Sequence, residues 1–398
     1  MKKLLIIGAS ILQLPAIKRA KEMGLEVAVA DYNTNAIGIK YADHYFNTST
    51  IDENAITKVA EEYRPDGIMT LATDMPMRSV AASTSALGLS GISIETAIKA
   101  TDKGEMIKAF KANNVESPWY YIINDKKDLI KIKHKLSYPC IMKPTDNAGS
   151  RGVILVKDEC VLEEAFDYSS NEGRSGSVII EEYMTGNEVS VEIIVYKGNV
   201  HILSITDKLT TGAPHFVELG HNQPSLLPVH DQEKIKDLAS RAVKAIGLSD
   251  GAAHVEIMLT KNGPKMIELG ARMGGDCIST HLVPLSTGID MIKATIDISL
   301  GNEPDLKQKY QKGSAIQFIT PSNGIVKEIK GIQEALHING IIDVEVTITE
   351  GSEISDIKSS IDRSGYIIAQ GHDAKDAIEK CNIATGLIEI ITENESKG

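Results

Sequence analysis

The chain has 398 residues, 42% hydrophobic and 24% charged, with a formal net charge of −12. That length supports two or three domains with a sizeable buried core, and the ordinary composition argues against long disorder. The acidic balance disfavours a sequence-independent nucleic-acid or anionic-membrane surface, and no apolar run reaches the roughly 18 residues that span a bilayer. Four widely spaced cysteines, Cys140, Cys160, Cys277 and Cys381, offer neither metal-ligand pairing nor a disulfide framework, so a reduced, cytoplasmic setting is expected.

The first fifteen residues, MKKLLIIGASILQLP, start like a secretory leader but lack a small-residue cleavage site and run into a strand–turn–helix pattern. They are read as a first β-strand. KLLIIGA, LEVAVAD and DGIMTLA are strands, with helices in PAIKRAKEMG, ending at Gly24, and in ITKVAEEY. This βαβ rhythm over residues 1–100 predicts a parallel sheet with helical crossovers. Gly8 and Asp31 are placed as in a dinucleotide-binding fold. However, Ala9, Ser10 and Ile11 follow Gly8, so the G-x-G-x-x-G fingerprint is absent and a nicotinamide cofactor is not expected.

From residue 101 the pattern changes. TDKGEMIKAFKANNV predicts a helix capped by Thr101 or Asp102. YPCIMKPTDNAGSRGVILV reads strand, glycine loop, strand; SGSVIIEEYM is a further strand, and EVSVEIIVYKGNVHILSITD is a hairpin turning at Lys197–Asn199. DQEKIKDLASRAVKAIG is a helix, followed by strands HVEIML and KMIEL around the turn NGP. Beyond Gly301 strands in AIQFIT, DVEVTI and GYIIAQG, with helices in IQEAL and DAKDAIEKCNIATG, predict an α+β unit over 301–398.

Glu256 and Glu268 lie in apolar strands of one hairpin. Burying such acids is costly unless a cation neutralises them, and a hard divalent ion shared with nucleotide phosphates would do so. A solvated hairpin face is the competing reading. Arg272, Gly274 and Gly275 follow, a cation beside close-approach backbone. Lys143, directed from a buried strand, needs an anion, either a phosphate or a partner within the core. Gly149, Ser150 and Gly152 let backbone N–H groups approach an anion, although G-x-x-x-x-G-K-[ST] is missing. The strand entering Glu181, Glu182, Tyr183 and Met184 offers main-chain groups along a base edge, with Glu188 in reach of sugar hydroxyls. His221, His254 and His281 lack zinc spacing, and G-x-S-x-G is absent.

Taken in order, DK at 102–103, IMKP at 141–144, AGSRGV, IIEEYMTGNE at 179–188, HVE at 254–256 and IELGARMGGD at 267–276 resemble the ATP-grasp superfamily of carboxylate–amine ligases. The resemblance covers residues 1 to about 300. It implies a βαβ domain over 1–100, an ATP-grasp domain over 101–300 with a nucleotide-clamping subdomain at about 115–185, and a C-terminal α+β subdomain over 301–398. Lys103 and Lys143 would contact ATP phosphates beneath the 148–153 loop. Main chain at Glu181 and Met184 would meet adenine, and Glu188 would bind ribose. Glu256 and Glu268 would hold Mg²⁺ or Mn²⁺, two ions being expected, and Arg272 would stabilise the transferred phosphoryl group. Many members carry E-x-N-x-R; here Gly270 replaces the asparagine, which puts the metal count in question. The E-x-x-A-R-x-G-G form and residues 210–225 are similar to L-amino-acid (dipeptide) ligases. By that likeness Glu218, His221, His254, Gly274 and Gly275 would face substrate, and relatives are often dimers.

The expected activity is ATP-dependent amide or peptide bond formation through an acyl-phosphate. The alternatives are a purine-biosynthetic ATP-grasp reaction on a ribonucleotide and, from another class, a degenerate nucleotide-binding regulatory protein.

Overall fold

The structure, a computed structural model, describes residues 1–147, 149, 151–213 and 215–393. The N-terminal unit is a four-stranded parallel sheet in the order His44–Asn47, Glu26–Asp31, Lys3–Ile7, Gly67–Met69. Strand alternation sends Leu4, Ile6, Val27 and Val29 to one apolar cluster and Leu5, Ile7, Ala28 and Ala30 to another. Both faces are therefore covered, as a parallel sheet requires. Gly8 has a φ of +98°, and a Cβ there would lie 2.8 Å from the Gln13 side-chain oxygen. That amide fills the first turn, its nitrogen donating to the Leu71 carbonyl at 2.7 Å. Asp31 accepts from the Ala9 N–H at 2.8 Å, so both dinucleotide-like positions serve internal contacts.

A small antiparallel sheet follows, ordered Tyr120–Ile123, Val178–Glu182, Cys140–Pro144, Ile154–Val156. The main sheet has eight strands: Gly263–Gly270, Gly251–Thr260, Asn187–Tyr196, Asn199–Thr210, Glu218–Gln223, Gly313–Phe318, Gly365–Gly371 and Ile341–Val346. Strands from beyond residue 301 thus continue the central sheet, while Gly324–Lys330, Glu353–Ile354 and Glu389–Glu393 make a separate three-stranded one. Two sequence expectations need correction. Six of the sixteen residues of the 210–225 segment, expected as a substrate-facing loop, form the strand Glu218–Gln223, and the Glu256/Glu268 hairpin turns on Lys261 and Asn262 with Gly263 already paired to Thr260.

One face of the main sheet carries Val189, Val191, Ile193, Val255, Ile257 and Leu269 against the helix Val229–Ile246, through Leu238, Ala242 and Val243. Period-2 alternation turns the intervening residues to the opposite face. There the polar run Glu188, Ser190, Glu192 gives way to Ile194, which packs with Ala252 under the helix Met291–Ser299. Among the described residues, no helix is long and apolar enough to cross a membrane.

Candidate active site

The polar half of that face is the site. A regular register from the Thr260–Gly263 pair would set Ile267 opposite Glu256. Instead the pairing shifts between Glu256 and Ile257, so Glu256 faces Glu268 directly and Ile257 faces Met266. This bulge puts both carboxylates on one face, because a one-residue slip exchanges faces. Their side chains are 25% and 29% exposed, so the solvated-face reading does not describe them.

Each acid has a lysine. Lys103 opens the helix Lys103–Ala112, which Asp102 caps by accepting from the Glu105 N–H. Its ammonium donates to Glu268 Oε1 and to the Asn147 carbonyl, both at 2.7 Å. Lys208, which sequence reasoning missed, lies 3.1 Å from Glu256, 2.6 Å from Glu188 and 3.7 Å from Glu218, with 4% of its side chain exposed. Burial works against its charge, but Glu256, Glu188 and Glu218 together raise its pKa well above the usual value. For Glu256 burial pushes upward, yet Lys208 and His254 hold its carboxyl far below the ordinary range. Lys143 is buried with Glu181 at 2.6 Å. Burial opposes its charge, and attraction from Glu181, Glu268 and Glu256 outweighs it, so its pKa rises. Glu181, expected to offer main chain, thus presents its side chain to Lys143.

His254 stands cross-strand from Glu192 and Gly270. Its Nδ1 meets the fully buried Glu192 at 2.9 Å and its Nε2 lies 3.3 Å from Glu256. Burial disfavours the imidazolium, but Glu192 and Glu256 together outweigh it and raise the pKa to about 9. Gly274 lacks a side chain for a spatial reason, since a Cβ there would sit 2.7 Å from His254 Nδ1. Among the described residues, nothing beyond its chain neighbours lies within 4 Å of such an atom on Gly275. Arg272 forms a two-pronged pair with Asp74 of the N-terminal unit, at 2.9 Å for each contact.

A cleft beside the acids is lined by Lys103, Met106, Ile107, Phe110, Glu181 and Met266. Met184 lies just beyond the strand Val178–Glu182, half-buried, and the neighbouring Tyr183 ring packs 6.4 Å from that of Phe216. In the loop after Lys143, Gly149 and Gly152 have φ of +68° and +77°. Ser150 lies outside the described residues. At the other end of the site His221 is buried cross-strand from Lys208, 3.4 Å from Asp276. Asp276 is held in a two-pronged pair by Arg363 at 2.7 and 2.8 Å, and Arg363 stacks 3.6 Å over Phe318. Glu218 accepts from Ser360 at 3.2 Å. The structure therefore gathers Lys103, Lys143, Glu181, Glu188, Glu218, His254, Glu256, Glu268 and Arg272, and adds Lys208, Glu192, Asp74 and Arg363.

These donors suit a divalent cation in one specific way. Among the described residues, no group of three or more His, Cys, Asp or Glu side chains is arranged to hold a metal. The two opposed carboxylates are hard oxygen ligands, and phosphates and water would complete the shell, the usual manner of magnesium.

Residues 136–280 match the ATP-grasp domain family and residues 317–393 match L-amino acid ligase C-terminal domain 2. The chain thus carries an ATP-grasp domain and an L-amino acid ligase C-terminal domain. It is 28% identical over 323 residues to alanine–anticapsin ligase of Bacillus subtilis (strain 168), covering 75% of this chain and 67% of that protein. The aligned stretch spans between 59% and 67% of the length of the first curated relatives it matches. The fold is similar to L-amino acid ligase from Bacillus licheniformis, with a TM-score of 0.86, 23% identity and 99% of both chains covered. It is also similar to phosphoribosylglycinamide synthetase from Anaerococcus prevotii, with a TM-score of 0.80, 27% identity, and 98% and 100% covered.

Proposed function

We propose that this protein uses ATP to join the carboxylate of one amino acid to the amine of another, releasing ADP and phosphate. The observation that carries this reading is the facing pair Glu256 and Glu268, flanked by Lys103, Lys143 and Arg272 on one polar sheet face. The C-terminal match at 317–393 favours amino-acid substrates.

In this reading the substrate carboxylate attacks the γ-phosphorus, the bond to the β-phosphate oxygen breaks, and ADP leaves an acyl-phosphate. The amine then attacks the acyl carbon and expels phosphate. Glu256 and Glu268 would hold Mg²⁺ or Mn²⁺, which when bound supplies charge neutralisation at the phosphates. Lys103 and Lys143 orient and neutralise the phosphate chain, so each must exchange a carboxylate for a phosphate oxygen when nucleotide enters. Arg272 stabilises charge on the transferred group. The 148–153 loop keeps water from the acyl-phosphate. Glu181 and Met184 line the adenine end and Glu188 the ribose, while Glu218, His221, Gly274 and Gly275 border the amino-acid end. Four unpaired cysteines support a reducing compartment.

ADP release measured across pairs of amino acids, with purine ribonucleotide intermediates alongside, tests the proposal. Turnover on an amino-acid pair with amide product is expected. Turnover only on ribonucleotides refutes it and establishes the second reading, which full-length similarity to phosphoribosylglycinamide synthetase favours.

A further inference from the structure

Residue 270, midway between Glu268 and Arg272, is a glycine. Its φ lies outside the left-handed region, so backbone freedom does not explain it. Space does. A Cβ at 270 would lie 2.6 Å from Asp74 Oδ1 and 3.0 Å from both Cζ and Nε of Arg272. The volume above Gly270 is occupied by the Asp74–Arg272 pair, whose side chains are only 13% and 16% exposed.

Asp74 reaches that volume from 198 residues away because its segment is tied down by contacts of its own. Ala72 has a φ of 59°, a strained conformation for a residue with a Cβ. Gln13 ties the Leu71 carbonyl at 2.7 Å and approaches Thr73 Oγ1 at 3.4 Å, and the Met77 N–H closes onto the Asp74 carbonyl at 3.0 Å. The carboxylate takes both Nε and Nη2 of Arg272, and Nη1 donates to the Met273 carbonyl at 3.2 Å. A two-pronged pair fixes the plane of a guanidinium as well as its position.

We propose that Asp74 is the positioning residue for Arg272 and that Gly270 is kept without a side chain to admit it. The N-terminal unit thereby supplies a working part of the phosphoryl-transfer site. This rests on Arg272 being the residue that stabilises the transferred group.

Two sets of measurements on the full chain test the proposal. In thermal melting, Gly270→Ala is expected to lower the midpoint in the native background and to have a clearly smaller effect on top of Asp74→Ala, where the 2.6 Å contact is gone and Arg272 is released to move. In ADP-release kinetics, Asp74→Asn is expected to lower kcat about 100-fold, as a misplaced catalytic group does. Its KM for ATP should stay within about twofold, and Asp74→Asn should add little to Arg272→Lys, because the two act as one unit. The proposal is overturned by equal midpoint losses in both backgrounds, by a native kcat for Asp74→Asn, or by multiplicative effects of the two substitutions. Absence of turnover on every substrate pair counts against the ligase reading alone, since the melting comparison still decides whether Gly270 admits Asp74.

Discussion

The variant Lys208→Met keeps most of the buried stem and removes one positive charge from among Glu188, Glu218 and Glu256. In the native chain the ammonium stands 2.6, 3.7 and 3.1 Å from these three carboxylates. At an effective dielectric of about 20, each of the two shorter pairings is worth on the order of 5 kcal/mol before desolvation is subtracted. Removing one partner from a buried ionic group has a net cost of about 3–5 kcal/mol. The three carboxylates are 21–25% exposed and rehydrate in part, which places the cost near the lower end. For a domain of this size that is a fall in melting temperature of roughly 5 °C or more. A divalent cation on Glu256 replaces part of the missing charge, so Mg²⁺ should stabilise Lys208→Met more than the native chain. Scanning fluorimetry over a Mg²⁺ series without nucleotide reads both effects. A native melting temperature in metal-free buffer would refute the reasoning, as would an equal Mg²⁺ shift in the two proteins.

Three further outcomes follow from the same geometry. Glu268→Gln removes one of two opposed carboxylates and should lower ADP release by about 10²–10³-fold, while a side chain 29% exposed predicts little change in melting; steady-state assay beside a melt checks both. Gly152→Ala forces a Cβ to within 2.7 Å of Pro144 Cγ and Glu172 Cβ at a φ of +77°, and should cost about 1–2 kcal/mol in denaturant titration; native stability would refute it. Burial pushes the Asp276 carboxyl upward, but Arg363 and His221 hold it well below its ordinary value. A depressed carboxyl stabilises the fold above its unfolded pKa of about 4 and loses that contribution as pH falls, so Asp276→Asn should flatten the acid side of a melting-temperature profile below about pH 4.

The architecture was legible where periodicity decides it. The parallel N-terminal sheet, the hairpin at Lys197–Gly198 and the helices at 103–112 and 229–246 all follow local pattern. The site residues visible in sequence were those whose charge conflicts with an apolar flank. Lys143 in CIMKP and Glu256 in HVEIM each demanded a counter-charge, although sequence could not say that Lys143 would pair with Glu181. Lys208 carried no such conflict, because lysine after ITD reads as the solvent side of an alternating strand. Only its cross-strand neighbours reveal that this side is roofed. The bulge opposite Glu256 was equally hidden, since one unpaired residue leaves no trace in composition while reversing which face Glu268 occupies. Asp74 and Arg363 had no local signal, being brought in over 198 and 87 residues. The glycines show why motif reading stops short. Gly270 and Gly274 looked like a lost ligand and a backbone donor, yet each is a vacancy that an ion pair fills, Asp74–Arg272 over one and His254–Glu192 over the other. An added Cβ at either position would meet a charged group. What a motif records as a missing side chain is, in the folded chain, the space through which distant charges reach the site.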